Sequence, residues 1–451
     1  MIFTFCASAA GGATWRALVV SCMLACAANM EAGAQPAEPS AAPSLSLPQV
    51  LQLTLMNNPE LQQFPYQLRI TEARTLQAST TPAPTLSLEA ENVFARTSGN
   101  RLQRPFAESE ITLALSQVIE LGDKRTRRME QVRSSAEVLY AQYELTRLEV
   151  LAETARRYYD VLRLQQLQGW IRNRIALERE ALATAQDRAG AGALSQAEVS
   201  RLRLRLARSD SLQLNLAGQL ALTRLQLGAM WGSSDPLPQI SGDLTPLPAV
   251  PDLQELRQAV ENAPTFLRQA TSRRLAAADL RLQQSANRAD PTVSIGVRHR
   301  GEDNDEALVF SLGLPLRQRS SNRGNVAEAQ AQLDLHDARQ SIVAVRIATT
   351  LEQIRQTMAN EHIMATRLQE QLLPLSRQLL DDIRIGYVQG QFDVMQWLDA
   401  QTELVALERE LIEARHAVHL QLLELEQLTG QPLADRKMSI LPPQPTPEIS
   451  P

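Results

Sequence analysis

Cysteine is nearly absent: Cys6, Cys22 and Cys26 are the only three, all at the extreme N-terminus. A chain processed beyond them has no thiol, which excludes a disulfide framework, a Cys-ligated zinc site and a cysteine nucleophile. Such a chain suits an oxidising compartment. Aromatic residues make up only 4%, too few to plug one large globular core, whereas Leu and Ala fill the seams between long helices. No basic stretch tracks a phosphate backbone, and with a net charge of −5 nucleic acid is excluded as a partner. Beyond the N-terminus no apolar run approaches the roughly 18 residues of a membrane-spanning helix. A nucleophile elbow, a phosphate-binding glycine loop and zinc-hydrolase spacing are all missing, so the expectation is no enzyme, no cofactor and no metal site. Gly190 and Gly192 follow a helical stretch, where a dinucleotide loop would follow a strand. His416 and His419 stand three apart on a helix, but no carboxylate motif accompanies them. A packing role is the better reading for both.

What is present begins with an export signal over residues 1–34. Arg16 precedes the apolar stretch Ala17–Cys26, and Ala32-Gly33-Ala34 before Gln35 fits a small-residue cleavage site. Cleavage near Ala34 and lipid attachment at Cys22 or Cys26 are the two routes open. A secreted chain without a membrane helix is periplasmic, extracellular or in an outer membrane.

Proline marks the layout. It crowds residues 36–48, 236–251 and 442–451, and is absent between Pro105 and Pro236. An interior proline costs a helix about 3 kcal/mol, so a long gap without it suits continuous helix. The expected division is a flexible segment over 35–46, a first half over 47–235, a Pro-rich linker over 236–251, a second half over 252–430 and a flexible tail over 431–451.

The two halves resemble each other. Asn57-Asn58-Pro59-Glu60-Leu61 is echoed roughly 205 residues later by Asn262-Ala263-Pro264-Thr265-Phe266. Each opens a helical stretch that ends at an extended segment, Pro84–Leu88 and Pro291–Ile295. A second extended segment follows, Ile111–Leu115 and Leu308–Leu312, then a long helix, a Gly-containing break and another helix. Each half therefore reads α-β-β-α-α, with hairpins over 84–120 and 291–317. The extended segments alternate with period two. Leu86, Leu88 and Ala90 share a face, as do Ile111, Leu113 and Leu115, then Val293, Ile295 and Val297, then Phe310, Leu312 and Leu314. Ser87, Glu89, Thr112 and Ser294 fall between them. Four strands cannot close a barrel, and an open sheet edge in lipid is forbidden. If the apolar faces meet lipid, three copies must pool about twelve strands.

The helices carry heptads: Met129, Ala136, Tyr143 and Val150, with Val132 and Leu139; Leu404, Leu411, Val418 and Leu425, with Ala400, Leu407 and Ala414. A weaker series, Val199, Leu206, Leu220 and Leu227, is interrupted by Gln213. Such seams make coiled-coil packing. A helix from 123 to 188 would run roughly 100 Å at 1.5 Å per residue. Pro374 is expected to kink the matching helix of the second half.

These features resemble the TolC-like outer-membrane efflux family over roughly residues 45–430. The carriers are Leu45-Ser46-Leu47-Pro48-Gln49-Val50-Leu51 with Asn58-Pro59-Glu60-Leu61, the two-strand insertions, and the paired helix–Gly–helix tips. The resemblance implies a mainly α protein with a small β part: a homotrimer whose twelve-stranded barrel sits in outer-membrane lipid above a tunnel of coiled-coil helices in the periplasm. It also implies two partners, a periplasmic membrane-fusion adaptor and an inner-membrane RND-type pump. A narrower likeness, to the cobalt-zinc-cadmium branch, rests on Leu115–Arg125, with a weaker echo at Leu314–Asn325. Drug efflux and type I protein secretion are alternatives within the same fold; a periplasmic coiled-coil scaffold is the alternative outside it.

The tip turns fall at Gly190 and Gly192 and at Gly386 and Gly390, where tight reversals call for positive φ. In the family, acidic residues soon after the second break ring the pore's narrowest point. Counting from Gly390, the matching positions are Gln396 and Asp399; Asp393 stands nearby, and Glu198 holds the matching slot in the first half. A threefold ring of carboxylates concentrates cations. The plainer reading of Asp399, Asp393 and Glu198 is as solvated faces or helix caps.

Overall fold

The structure, a computed structural model, describes residues 44–93, 109–235, 237, 239–261, 263–316 and 321–433. The export signal, the cysteines, Asn262, Arg317–Ser320 and most of the C-terminal tail lie outside these.

Helix dominates, and the elements follow the expected order. They are α1 (Leu47–Asn57), a 3-10 turn (Leu61–Gln63), α2 (Phe64–Ser79), β1 (Thr85–Glu91), β2 (Glu110–Val118), α3 (Lys124–Gly190) and α4 (Gln196–Ala229). Then come α5 (Leu253–Glu261), α6 (Pro264–Ser285), β3 (Thr292–Arg300), β4 (Asp305–Gly313), α7 (Arg323–Arg367), a π turn (Leu368–Leu372), α8 (Leu373–Val388) and α9 (Val394–Thr429). Helix α3 has 67 residues, about 100 Å of unbroken rod.

The four strands form one antiparallel sheet in the order β1-β2-β3-β4. Its register aligns the apolar positions into continuous rows: Leu86, Leu115, Ile295 and Phe310 in one, Leu88, Leu113, Val297 and Leu308 in the next. The opposite face carries Ser116, Ser294 and Ser311, and beyond them Glu89, Thr112 and Arg298. On that polar face Arg298 reaches Glu110 at 3.0 Å and Thr112 at 3.0 Å. The apolar rows are not a core. Leu86, Leu88, Leu113, Leu115, Val293, Ile295, Val297, Leu308, Phe310 and Leu312 are 43–71% exposed. A sheet that packed this face on its own helices would hide it; this one leaves it bare. Gln117, the one amide in those rows, is folded back to donate to the carbonyls of Pro82 and Val118, both at 2.9 Å.

The turn from sheet to helix is clamped. Gly122 adopts φ +84, Leu121 N–H donates to Asp290 Oδ1 at 2.9 Å, and Lys124 Nζ meets Asp290 Oδ2 at 2.6 Å. The segment Leu115–Arg125 thus places its glycine and lysine where β2 hands over to α3.

The main core lies where α1, α3, α4 and α9 meet, around Val50, Leu151, Val161, Ile171, Leu220, Leu227 and Leu423. Leu404, Leu411, Val418 and Leu425 are all buried, as the heptad reading requires. The Met129–Tyr143 heptad is only half-buried. The Pro-rich stretch is no loose tether. Leu244 is fully buried, Tyr158 Oη donates to the Ser241 carbonyl, and Leu45 N–H donates to the Gln239 carbonyl at 3.0 Å. Leu45 and Ser46, expected in a flexible segment, are therefore ordered: one bridges to Ile240 and the other caps α1. Pro374 does not break its helix. Its missing N–H is absorbed by the π turn just before it, closed by Leu373 N–H to the Leu368 carbonyl.

Candidate aperture at the helix tips

Both tips are built by one local recipe. Gly192 and Gly390 take φ +76 and +75. Two bonds of the same span close the helix ends: Ala193 N–H to the Arg188 carbonyl at 2.9 Å, and Gln391 N–H to the Gly386 carbonyl at 2.8 Å. This is the Schellman closure, which favours glycine at the left-handed position. Three residues later stands an N-cap, Ser195 or Asp393, and three beyond that its capping-box partner, Glu198 or Gln396. Gly190 and Gly386 need correcting: neither has positive φ, and both lie inside helices. Gly386 is small for a different reason, since a Cβ there would run into the Phe392 ring.

The four expected aperture residues separate accordingly. Asp393 Oδ1 accepts from Gln396 N–H at 2.8 Å, and Gln396 Oε1 accepts from Asp393 N–H at 3.0 Å. Glu198 Oε2 accepts from the Ser195 hydroxyl and N–H at 2.8 and 3.0 Å. Those bonds hold the Glu198 carboxyl below its ordinary pKa, the Ser195 hydroxyl contributing most. All three side chains are thus engaged as caps. Asp399 is exposed one turn further along α9, and no cation pairs with it among the described residues.

Spacing alone gave no sign of what joins the two tips. Arg188 donates to the Tyr387 carbonyl at 2.8 Å, and its guanidinium lies 3.8 Å from the Tyr387 ring centre. Tyr387 stacks on Trp397 at 5.0 Å. Arg384 pairs with Glu180 at 2.9 Å. An Arg and a Tyr about two hundred positions apart are brought together only by the fold. Both His416 and His419 are buried. His416 meets Asp160 at 3.0 Å, and His419 is stacked on Tyr159 at 4.8 Å and lies 3.3 Å from the Leu244 carbonyl.

A sheet with a bare apolar face, joined to long helices of which α3 runs about 100 Å, and paired helix tips are the setting for a family comparison. The model of the outer membrane efflux proteins matches residues 50–233. Over that stretch the chain is similar to this family. Efflux proteins of this kind lie in the outer membrane with their helices in the periplasm, and so does this one. Among its efflux relatives is the cobalt-zinc-cadmium resistance protein CzcC of Cupriavidus metallidurans, 26% identical over 81% of this chain and 85% of that protein. The nickel-cobalt-cadmium resistance protein NccC of Alcaligenes xylosoxydans is 24% identical over 66% and 70%. The solved outer membrane protein VceC of Vibrio cholerae shares the efflux fold, with a TM-score of 0.67 at 18% identity, covering 85% of this chain and 96% of VceC.

Proposed function

We propose that this efflux protein is the passive outer-membrane duct of a tripartite system. Three copies pool their sheets into one twelve-stranded barrel, the helices continue it as a periplasmic tunnel, and substrate enters at the tips. A periplasmic adaptor and an inner-membrane RND-type pump deliver the cargo, and the duct performs no chemistry. The two halves of the chain, of like element order, represent an internal duplication with the Pro-rich stretch between them.

One observation carries the reading: every described strand presents an exposed apolar face, and two of its rows run unbroken across the sheet. Lipid satisfies such a face and water does not. Outward residues of β2 and its extension run from Ile111 to Leu121, about 33 Å along the strand, or some 25 Å of height at the usual tilt. That is the height of an outer-membrane apolar band.

Divalent heavy-metal cations are the favoured cargo, on the likeness to the two metal-resistance proteins. At the aperture Asp399 is the residue of first choice for a carboxylate ring, because Asp393, Gln396 and Glu198 already serve as caps. The test is reconstitution of purified trimer in a planar bilayer. The reading expects discrete conductance steps with cation preference, reduced by Asp399→Asn. A monomer that leaves the bilayer silent overturns it.

A further inference from the structure

The two stretches behind the narrower likeness, Leu115–Arg125 and its echo Leu314–Asn325, lie about two hundred residues apart. The fold brings their ends together where the sheet hands over to α3 and α7. The turn Asn287–Asp290, which links α6 to β3, is bonded to both. Asn287 Oδ1 accepts from Asn322 Nδ2 at 3.1 Å, and the Arg288 carbonyl accepts from Lys124 Nζ at 2.7 Å. The Arg288 side chain lies over Gly122, where a Cβ would come within 2.9 Å of Arg288 Cδ. Gly122 therefore serves twice, once for its left-handed φ and once for the room it gives an arginine.

Charge at this junction is uneven. Lys124 is matched by Asp290, Arg128 by Glu120 and Arg127 by Glu130. Arg125, Arg288 and Arg323 are exposed, and none has an ion pair among the described residues. Asp123 is also exposed and unpaired there, but the first turns of α3 and α7 hold no acid. Three arginines thus outweigh one carboxylate. Their place matters as much as their sign. Leu121, Leu314 and Leu316, 42%, 53% and 89% exposed, are the last apolar residues before the two long helices. A headgroup layer reaches about 5–8 Å beyond the hydrocarbon core, and the first turn of a helix spans about 5 Å. An arginine at that depth lays its stem on apolar surface and keeps its guanidinium among the headgroups.

We propose that this junction is a binding site for anionic phospholipid on the periplasmic side of the membrane. Arg125, Arg288 and Arg323 receive the headgroup phosphate, and Leu121 and Leu316 meet the acyl chains. Guanidinium forks match phosphate oxygens, and the excess positive charge selects an anionic headgroup over a zwitterionic one, whose ammonium it repels. The apolar rows of the sheet end here, so the site continues the lipid-facing surface into the headgroup layer. Inorganic phosphate offers the same oxygens without acyl chains and competes poorly. The inference rests on the duct reading, which sets the sheet in lipid, and adds a lipid preference to it.

The test is native mass spectrometry of the detergent-purified trimer, titrated with phosphatidylglycerol or with phosphatidylcholine of the same acyl chains. Phosphatidylglycerol should bind at least about tenfold tighter, and the preference should shrink as salt rises. Removing one arginine should weaken phosphatidylglycerol by about fivefold and leave phosphatidylcholine unmoved. The variants are Arg125→Gln, Arg323→Gln and Arg288→Met, the last keeping an apolar stem over Gly122. If Arg288→Met does not assemble, the other two carry the test. Arg133→Gln, exposed further along α3, is the control and should match wild type. Equal binding of the two lipids, or arginine variants that bind phosphatidylglycerol as wild type does, overturns the site. Displacement of the lipid by inorganic phosphate at equal concentration overturns the lipid assignment. A wild-type chain that neither trimerises nor conducts defeats the duct reading instead; one that conducts without distinguishing the lipids defeats only this inference.

Discussion

Ile295→Arg probes the sheet at its most informative position. Ile295 sits in the row Leu86, Leu115, Ile295 and Phe310, with Val293 and Val297 about 7 Å away on either side along β3. Its neighbour Leu115 is four residues from Ile111 and six from Leu121, close to the middle of the apolar band. Arginine at the midplane of an outer-membrane barrel costs about 2–4 kcal/mol. A trimer carries the change three times, so roughly 6–12 kcal/mol opposes insertion. Ser294→Arg is the control: one residue away on the opposite face, beside Ser311, it should leave assembly nearly intact. The assay is the yield of membrane-extracted, heat-modifiable trimer and its urea midpoint in lipid vesicles. Ile295→Arg should abolish or strongly depress both, and Ser294→Arg should resemble wild type. Tolerance of Ile295→Arg together with loss on Ser294→Arg would refute the assignment of faces and favour a soluble scaffold.

Four further outcomes follow from the tips and the core. Gly386→Ala drives a methyl group into the Phe392 ring and should weaken tip packing by about 1–3 kcal/mol, read as raised leak conductance. Gly390→Ala strains a left-handed turn by about 1 kcal/mol, lowering the tip's resistance to protease nicking. Burial, the largest cause, takes the His419 pKa from 6.5 down to about 4. The native histidine therefore stays neutral while the unfolded one charges, so stability is full above pH 6.5 and falls as pH drops toward 4, by at most about 3 kcal/mol. Chemical denaturation at pH 7 and pH 4.5 should show that loss in wild type and less of it in His419→Phe. Asp393→Ala removes the α9 N-cap and should cost about 1 kcal/mol, visible as faster hydrogen exchange in the first turn of α9.

Much of the architecture was legible because it is written in periodicities. The period-two runs at Leu86–Ala90 and Val293–Val297 gave the strands, and the proline-free span gave α3 nearly to the residue. Helix caps were less so: Asp393 and Glu198 read most plainly as caps or solvated faces and otherwise as ring carboxylates, and the capping bonds appear only in the geometry of their backbone partners. The Met129–Tyr143 heptad met half-buried surroundings because burial depends on neighbours, which one helix's sequence does not contain. Gly190 and Gly386 were grouped with Gly192 and Gly390, yet composition cannot tell a glycine chosen for φ from one chosen for space. The contacts of Arg188 with Tyr387 and of Trp170 with Val405 join residues about two hundred apart, and no local pattern encodes them. Pro374 was visible, but the π turn that accommodates it was not.

The most direct measurement is a lipid-accessibility scan of β3. Single labels placed from Val293 to Arg298, each read for collision with dissolved oxygen and with a water-soluble nickel chelate, report which face meets hydrocarbon. An alternating profile is predicted, with oxygen contact high at 293, 295 and 297 and chelate contact high at 294, 296 and 298. A flat profile, or one with the chelate favoured at 293, 295 and 297, would contradict it.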